Sequence, residues 1–287
     1  MRRDERIVFT KTAAGDPGRV SDFLSAHTGL TKTRIKDAMA KGAVWMKKAG
    51  GRRGRVRRSS AVVRPGDRLE LFYDAHLLSV VPPEPTLIAD RIAYSVWLKP
   101  SGLLTQGTKF GDHCSLLRLA EIAFHLSRKV FPVHRIDREA AGLVLIAHTK
   151  KAAADLSALF RENSVRKRYR VQVLGNLSHR GTHGSIDLPL DGKSASTCYV
   201  FDSYDDATNT STLSVEIGSG RFHQIRRHFH QIGHPVMGDP RYGTGNKNVE
   251  GLKLVACELE FDCPVQGEVV RFGLDGCLSA PAKGSES

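Results

Sequence analysis

The chain has 287 residues with 40% hydrophobic content, which is sufficient for one large domain or for a large domain with a small one. Its formal net charge of +13 at pH 7 indicates a polyanionic partner, either a nucleic acid or an acidic membrane surface. No apolar run is long enough to span a membrane, and the first residues, MRRDERIVFT, lack the apolar stretch of a secretory signal, so we expect a cytoplasmic protein.

Two helices and two strands are predicted near the start of the chain. Apolar side chains recur at helical spacing in residues 20–24 and again in residues 35–39. Thr31 is the predicted N-cap of the second helix, and Gly42 marks its C-terminal end. The stretches GAVWMKK and RPGDRLELFY are predicted strands, the second of them entered through a Pro-Gly turn.

A basic loop, Lys47 to Arg58, connects these strands with the sequence KKAGGRRGRVRR. It contains seven cations and no acidic residue. A solvated surface loop is the alternative interpretation, but the second helix, the loop and the whole chain carry charge of the same sign. RNA phosphates are therefore the predicted ligands of this region. The residues predicted to contact them are Lys32, Arg34, Arg52, Arg53 and Arg55.

The chain is predicted to divide into two domains. Three prolines in the stretch HLLSVVPPEPTLIAD indicate a linker. We assign residues 1–75 to a small N-terminal domain, 76–88 to the linker, 89–278 to a second domain and 279–287, which are poor in apolar residues, to a disordered tail. The second domain mixes strands such as RYRVQVLG and TLSVEIG with a helix at 150–160. These elements predict an α+β fold with a mixed, mainly antiparallel sheet flanked by helices.

Charged side chains stand directly before a predicted buried strand in HRIDREAAGLVLIA, residues 134–147. Burial of a charge without a partner is costly, so the cluster indicates either a structural ion pair or a functional cleft. Asp137 and Glu139 could also suggest the carboxylate pair of a glycosidase, although nothing in the sequence places them across one cleft.

A second informative stretch is SGRFHQIRRHFHQIGHPVMGDPRYG, residues 219–243. A helix is predicted to start after Gly220 and to end at Gly233, with an N-terminus suited to phosphate. An ordinary amphipathic surface helix is the alternative. The predicted apolar stripe of this helix consists of Phe222, Ile225, Phe229 and Ile232.

Several cofactor and metal motifs are absent or incomplete. HQIGH has glutamine where a zinc protease needs glutamate, DGKSAS lacks the spacing of a phosphate loop, and GTGNKN lacks the third glycine of a dinucleotide motif. The five cysteines contain no C-x-x-C pair, as expected for reduced thiols. We therefore expect neither a metal nor a cofactor.

Two stretches of the chain resemble known protein families. Residues 15–75 resemble the small RNA-binding domain of the ribosomal protein S-four type, through GLTKTRIKDAMAKGAV and RPGDRLELF. Residues 91–270 resemble the RluA family of pseudouridine synthases. Four stretches carry this likeness in the family's order, namely WLKPSGLLTQG, HRIDREAAGLVLIA, RKRYRVQVLG and SGRFHQIRRHFHQIGHPVMGDPRYG.

The second resemblance implies roles for individual residues. Asp137 matches the catalytic aspartate, Arg226 the arginine that pairs with it, and Tyr169 the tyrosine that stacks on the base and takes part in proton transfer. Arg135 matches the arginine that helps to displace the target nucleotide. A nearby cation would keep the aspartate ionised, because it counteracts the effect of burial on the pKa. The second domain's predicted RNA-binding residues are His134, Arg135, Arg221, His223 and Gln224.

The two resemblances therefore imply an RNA pseudouridine synthase that flips uridines out of structured RNA and isomerises them. Large-subunit ribosomal RNA is the expected substrate and transfer RNA the alternative. A catalytically silent RNA-binding or ribosome-assembly factor and an N-glycosylase are the competing hypotheses. The predicted partner is RNA, and no association with a membrane is expected. Nothing in the sequence requires more than a monomer. Ala140, Ala141, Ser219 and Val255 depart from the family pattern without touching the matched catalytic residues.

Overall fold

The computed structural model describes residues 5–275, and the predicted tail at 279–287 lies outside them. The chain forms two compact units. Unit 1 contains the chain up to residue 83 together with residues 106–123, and unit 2 contains residues 84–105 and the chain from residue 124 onward. None of the helices in residues 5–275 has the length and apolar character needed to cross a membrane.

Unit 1 is built on a four-stranded antiparallel sheet in the order β1–β6–β3–β4, and β2 pairs with β5 apart from it. Its elements are β1 (Arg6–Thr12), β2 (Gly18–Arg19), α1 (Val20–Thr28), α2 (Lys32–Ala40), β3 (Val44–Lys47), β4 (Arg53–Arg55), β5 (Val62–Val63), β6 (Arg68–Asp74), α3 (Ala75–Ser79) and α4 (Leu116–Ala123).

The helices and strands predicted in this part of the sequence are confirmed, but the predicted loop of residues 47–58 also contains strand β4, which pairs with β3. Leu24 of α1 and Ile35 of α2 are buried with Leu71 of β6 in one core, as their spacing predicts. The side chain of Thr31 caps α2 by accepting a hydrogen bond from the backbone N–H of Arg34. The helix ends at Ala40, and Gly42 follows with a positive φ of 79°.

The division of the chain differs from the predicted one at residues 76–88. Helix α3 occupies the start of the predicted linker, and its Leu78 is buried in the core of unit 1. Asp74 caps this helix by accepting from the Leu77 N–H at 2.9 Å. The prolines that indicated a linker begin only at Pro82, so they do not interrupt the helix.

Residues 106–123 also differ from the prediction, because they belong to unit 1 and not to the second domain. The indole N–H of Trp45 donates to the carbonyl of Lys109 at 3.0 Å. The ring of Phe110 packs edge-on against Phe72, with 5.6 Å between the centroids. Arg55 forms an ion pair with Asp112, Nε to Oδ2, at 3.1 Å. Such contacts join distant parts of the sequence, so local patterns could not reveal them.

Besides a short 3-10 helix at Ser178–Arg180, unit 2 contains ten β-strands and two α-helices in the described range. They are β7 (Thr86–Asp90), β8 (Tyr94–Lys99), β9 (Phe131–Pro132), β10 (Ala141–Ala147), α5 (Lys150–Arg161), β11 (Arg166–Leu174), β12 (His183–Ile186), β13 (Thr197–Asp205), β14 (Thr210–Ile217), α6 (Gln224–Gln231), β15 (Leu254–Cys263) and β16 (Glu268–Gly273).

The ten strands of unit 2 form one sheet. Eight of them lie in the order β12–β13–β14–β11–β15–β10–β8–β7, while β16 pairs with β15 and β9 with β10. All pairs are antiparallel except β10 with β15. Gly142 is required at the parallel contact, because a Cβ there would lie 2.3 Å from the carbonyl oxygen of Ala256. The predicted fold class is confirmed.

Helix α6 is held against the sheet by its apolar side chains. Ile225 and Phe229 pack in one core with Val171 of β11 and Val215 of β14. A second core contains Leu145 of β10 and the apolar face of α5. Tyr169 of β11 lies beside residues of α6 and of the loop that enters β10, and this junction holds the pocket described below.

Candidate active site

A pocket of about 280 Å³ lies between the loop before β10, strand β11 and the segment that enters α6. It brings together predicted site residues of unit 2 that belong to three separate stretches of sequence. Residues that line it are Arg135, Ile136, Asp137, Ala140, Tyr169, Ile217, Gly220, Arg221, Phe222, His223, Gln224, Ile225, Arg226 and Leu254.

Asp137 and Arg226 form an ion pair in this pocket. The Arg226 side chain is only 1% exposed, and its Nη1 lies 3.1 Å from Oδ2 of Asp137 and 3.4 Å from Oε2 of Glu139. Asp137 keeps 20% of its side chain exposed. The carboxylate can therefore meet a ligand in the pocket while a buried guanidinium holds one of its oxygens.

Asp239, which was not predicted from the sequence, binds the other edge of the same guanidinium. Its Oδ2 accepts from Nε of Arg226 at 2.7 Å and its Oδ1 from Nη2 at 2.8 Å, and its side chain is fully buried. The backbone N–H groups of Arg241 and Tyr242 donate to the same Oδ1. In the sequence GDPRYG this aspartate resembles an ordinary turn residue, so no local signal marked it.

The electrostatics of this group favour the charged forms of Arg226 and Asp239. Burial lowers the pKa of Arg226, but Asp239 and then Asp137 outweigh it, and the net pKa is raised. Burial likewise raises the pKa of Asp239, but the hydrogen bonds from Arg226 and two backbone N–H groups leave its net pKa below the ordinary value. Arg226 is thus a permanent cation beside Asp137.

Tyr169 and His223 form neutral walls of the pocket. Burial raises the pKa of Tyr169, and the charge of Asp137 adds to the rise, so the phenol is protonated at neutral pH. His223 Nε2 lies 3.7 Å from Oδ1 of Asp137, and its Nδ1 lies 3.1 Å from the hydroxyl oxygen of Tyr242. Burial lowers the pKa of His223, against the opposing effect of Asp137.

The backbone of His223 corrects the predicted start of the helix. Its φ of 52° and ψ of 33° lie in the left-handed region, and α6 begins only at the next residue, Gln224. A non-glycine residue in this region stores strain, which functional sites often contain. Phe222 precedes this turn and is exposed, so it does not belong to the apolar stripe in which it was placed.

Gln224 fixes the local backbone and has no spare polar group for RNA. Its Oε1 accepts from the Ser219 hydroxyl at 2.8 Å and from the Arg221 N–H at 3.1 Å. Its Nε2 donates to the carbonyl of Ser196 and the hydroxyl of Thr197. Because the residue is buried and these bonds occupy its amide, we reassign it from RNA binding to a structural role.

His134, predicted to bind RNA, makes contacts that favour a structural role in unit 2. Its Nε2 accepts a hydrogen bond from the backbone N–H of Leu145 at 3.0 Å, and its ring stacks on Phe160 with centroids 4.1 Å apart. Burial lowers the pKa of His134 to about 3, so the ring is neutral, as an accepting nitrogen requires.

Replacement of His134 by alanine should lower stability and leave RNA binding intact. The change removes the ring from Phe160 and leaves the partly buried N–H of Leu145 without its acceptor. We expect the free energy of unfolding to fall by about 2–4 kcal/mol. Denaturant melts and RNA-binding titrations of this variant, beside one with alanine at the exposed His183, provide the check. Normal stability with weakened RNA affinity would restore the original assignment.

Arg135 and Arg221 line the pocket, and each keeps part of its surface exposed to solvent. Arg135 is exposed, and Arg221 is partly buried, with its Nε donating to the carbonyl of Ser194 at 3.2 Å. Within residues 5–275, no three His, Cys, Asp or Glu side chains converge where a metal ion could be held. The side chains that line the pocket offer a carboxylate, a phenol, an imidazole and guanidinium groups.

The remaining predicted RNA-binding residues lie in unit 1, and the structure gives most of them acidic partners. Lys32 pairs with Asp22 at 3.0 Å, and Arg34 with Glu5 at 2.9 Å. Arg52 is fully on the surface. The two other predicted cations of the basic loop, Arg53 and Arg55, place their guanidinium groups 4.0 and 4.2 Å from the ring of Trp45 and pair with Glu70 and Asp112.

Comparisons with known proteins agree with this architecture. The family model described as RNA pseudouridylate synthase matches residues 93–231. An uncharacterized RNA pseudouridine synthase of Chloroflexus aurantiacus is 30% identical over 85% of this chain and 80% of its own length. The dual-specificity RNA pseudouridine synthase RluA of Vibrio parahaemolyticus is 32% identical over 58% of this chain and 73% of its own length.

A solved structure shares the fold. Human RNA pseudouridylate synthase domain containing 1 aligns with a TM-score of 0.58 and 19% identity, over 68% of this chain and 86% of its own. At that identity the likeness concerns the fold alone, and the sequence relatives provide the assignment to a family. The chain belongs to the RNA pseudouridylate synthase family and is, as predicted, an isomerase that acts on RNA.

Proposed function

We propose that this isomerase converts specific uridines of large-subunit ribosomal RNA into pseudouridine, with Asp137 as its nucleophile. One observation carries the proposal: a partly exposed carboxylate lies in a pocket and is held by a buried arginine with a second, fully buried aspartate behind it. Relatives from Zymomonas mobilis and Nitrosomonas europaea, 32% and 34% identical, are named ribosomal large subunit pseudouridine synthase D and support the choice of substrate.

The reaction rearranges bonds within one nucleoside. The bond from ribose C1′ to uracil N1 breaks, a bond from C1′ to uracil C5 forms, and the proton on C5 is replaced by one on N1. No atom or electron is gained or lost overall. A carboxylate nucleophile divides this exchange into detachment and reattachment, with the free uracil turned between them. Asp137 meets this need because Arg226 fixes one oxygen and leaves the other facing His223 and the pocket.

The pocket has the groups needed to hold a base during the rearrangement. A uridine flipped out of folded RNA loses stacking worth a few kcal/mol, which contacts in the pocket must offset. Tyr169 provides an aromatic wall, and its protonated hydroxyl can donate a hydrogen bond or return a proton. Arg135, exposed at the edge of the pocket, is placed to meet the RNA from which the base is withdrawn.

Unit 1 is the proposed binding module for structured RNA, as its resemblance to the S-four type implies. The basic loop is only partly available for this role. Arg55 and Arg57 form ion pairs with Asp112, whereas Arg52 and Arg58 are exposed. The exposed cations are therefore the proposed phosphate contacts of the loop.

Alanine at both Arg52 and Arg58 should weaken RNA binding in a salt-dependent manner. Each phosphate contact that is lost should lower the slope of log affinity against log salt by about 0.7–0.9. The measurement is a titration of the whole protein with ribosomal RNA fragments at several salt concentrations. A double variant at Lys150 and Arg161, two exposed cations of α5, is the matched control. Equal slopes in the two variants would remove the basic loop from the RNA interface.

Carbodiimide mapping of pseudouridines in total cellular RNA tests the proposed function. The comparison is between a wild-type strain and a chromosomal Asp137→Ala strain, with expression of the variant confirmed. Loss of one or a few signals in large-subunit ribosomal RNA is the expected result. Loss confined to transfer RNA would replace the substrate, and abasic sites formed by the wild-type protein would favour a glycosylase. An unchanged map would favour a silent RNA-binding factor.

A further inference from the structure

Phe222 is a large aromatic side chain that lines the active-site pocket and still has 55% of its surface exposed. The two residues that continue its helical spacing, Ile225 and Phe229, are buried. The left-handed backbone of His223 separates Phe222 from α6 and keeps it out of the core. An aromatic ring that stays exposed where it lines a pocket is available for contact with a ligand that enters there.

The ring of Phe222 is held in a defined orientation. It stacks on the ring of His223 with centroids 3.7 Å apart and an angle of 20° between the planes. The guanidinium of Arg241 lies 5.9 Å from the Phe222 centroid. The His223 ring is in turn fixed by Tyr242. Phe222 is thus a pre-oriented flat surface, and ordering it on binding costs little conformational entropy.

The surroundings of Phe222 select the kind of ligand. Arg135, Arg221 and Arg241 are cationic neighbours of the pocket or of the ring itself. A ligand that offers both a flat π-system and negative charge matches this combination, and a nucleotide within an RNA strand has both features. A plain apolar ligand would leave these guanidinium groups unused.

We propose that Phe222 stacks on a base of the substrate RNA that neighbours the flipped uridine in sequence. This inference rests on the proposed function. The reacting sugar must approach Asp137 to about 3–3.5 Å. His223 meets Asp137 with its ring edge and Phe222 with its ring face. A base on the outer side of Phe222 is therefore too far from the carboxylate to be the one that reacts, and Phe222 is a substrate-positioning residue.

The variants Phe222→Leu and Phe222→Trp distinguish two roles of Phe222, namely stacking on an RNA base and shielding the His223 ring from solvent. Leucine keeps an apolar cover over the imidazole without a π-face, and tryptophan keeps both. Leu126→Ala is the control, because Leu126 is 61% exposed and does not line the pocket. Steady-state assays use the ribosomal RNA fragment that contains the mapped uridine. We expect Phe222→Leu to raise KM on the order of ten-fold with a smaller change in kcat, and Phe222→Trp to restore KM.

A binding experiment detects the contact by fluorescence, independently of the rate of turnover. The probes are two nine-nucleotide RNAs with a central uridine, one with 2-aminopurine on its 5′ side and the other on its 3′ side. Stacking quenches 2-aminopurine, so one probe should lose fluorescence with the wild-type protein and with Phe222→Trp. The same probe should stay bright with Phe222→Leu when each variant is present at saturating concentration.

The outcomes distinguish this inference from the proposed function. Pseudouridine formation with equal KM and equal quenching in the wild type and Phe222→Leu would overturn the inference alone. A fall in kcat that tryptophan does not restore would also overturn it, because Phe222 would then only shield His223. Quenching that depends on Phe222, in a protein that forms no pseudouridine, would support the stacking contact while rejecting the proposed reaction.

Discussion

Alanine at Asp137 is expected to lower pseudouridine formation by about 10⁴-fold or more, as the loss of a nucleophile does in other enzymes. RNA affinity should stay within a few-fold, because exposed cations and not this carboxylate attract the phosphates. Arg226 keeps its two hydrogen bonds to Asp239 in the variant, so the fold should persist. Single-turnover assays and filter-binding titrations on the same preparation measure both quantities.

Two further variants test whether this result comes from the loss of the nucleophilic charge. Asp137→Asn preserves the shape of the side chain and a hydrogen-bond acceptor for Arg226 but removes the nucleophilic charge, so it should be nearly as inactive. Asp262→Ala removes an exposed carboxylate of β15 and should behave as the wild type. Turnover by purified Asp137→Ala comparable to the wild type would refute the assignment of the nucleophile.

Alanine at Asp239 is expected to cost both stability and activity. The change leaves the guanidinium of Arg226, 1% exposed, without its two-point partner. Loss of one partner of a buried ion pair lowers the free energy of unfolding by about 3–5 kcal/mol. The freed guanidinium should also shift relative to Asp137, so kcat should fall. Chemical denaturation and rate measurements below the unfolding transition are the tests.

Asp239→Asn separates charge from hydrogen bonding. Its amide oxygen can still accept from the backbone N–H groups of Arg241 and Tyr242, so the loop should remain folded. We expect a smaller loss of stability than with alanine and a loss of turnover of similar size. Full activity in this variant would show that Asp239 holds the loop and does not act on Arg226.

The same pair predicts a pH dependence of stability. The net pKa of Asp239 is lowered below its ordinary 3.8 in the folded protein. A carboxylate with a lowered folded-state pKa stabilises the protein above its unfolded-state pKa, and this contribution is lost as the pH falls through the folded-state value. The stability difference between wild type and Asp239→Asn should therefore be constant from pH 7 to about 5 and shrink below 3.8. A difference that grows in acid would contradict the ion pair.

The sequence predicted which residues form the site better than it predicted the contacts among them. Asp137, Tyr169 and Arg226 were matched to a family pattern, and the structure brings all three to one pocket, although their roles stay predictions. Asp239 was missed because its importance arises from a contact 13 residues away in the chain. For His134 the sequence predicts RNA binding and the structure favours a structural role, because a ring that accepts a hydrogen bond from a strand has the same sequence signature as one that faces a ligand.

The helices and strands were predictable where the spacing of apolar residues determines them. The contacts between distant segments of the chain were not. Helices α1, α2 and α5 and strands β6, β11 and β14 follow their apolar spacing. The start of α6 was wrong, because a single left-handed residue overrides a helical pattern that continues through it. The order of ten strands and the parallel pairing of β10 with β15 depend on tertiary contacts that no local pattern contains.

The placement of residues 106–123 in unit 1 changes how modular this protein can be. The range that matches the synthase family begins at residue 93, so it includes a segment whose packing partners precede residue 84. A chain cut between the units at residue 83 would leave the Lys109 carbonyl, the Phe110 ring and the Asp112 carboxylate without Trp45, Phe72 and Arg55. A transplant of unit 1 into another protein would therefore have to include residues 106–123 to keep these contacts.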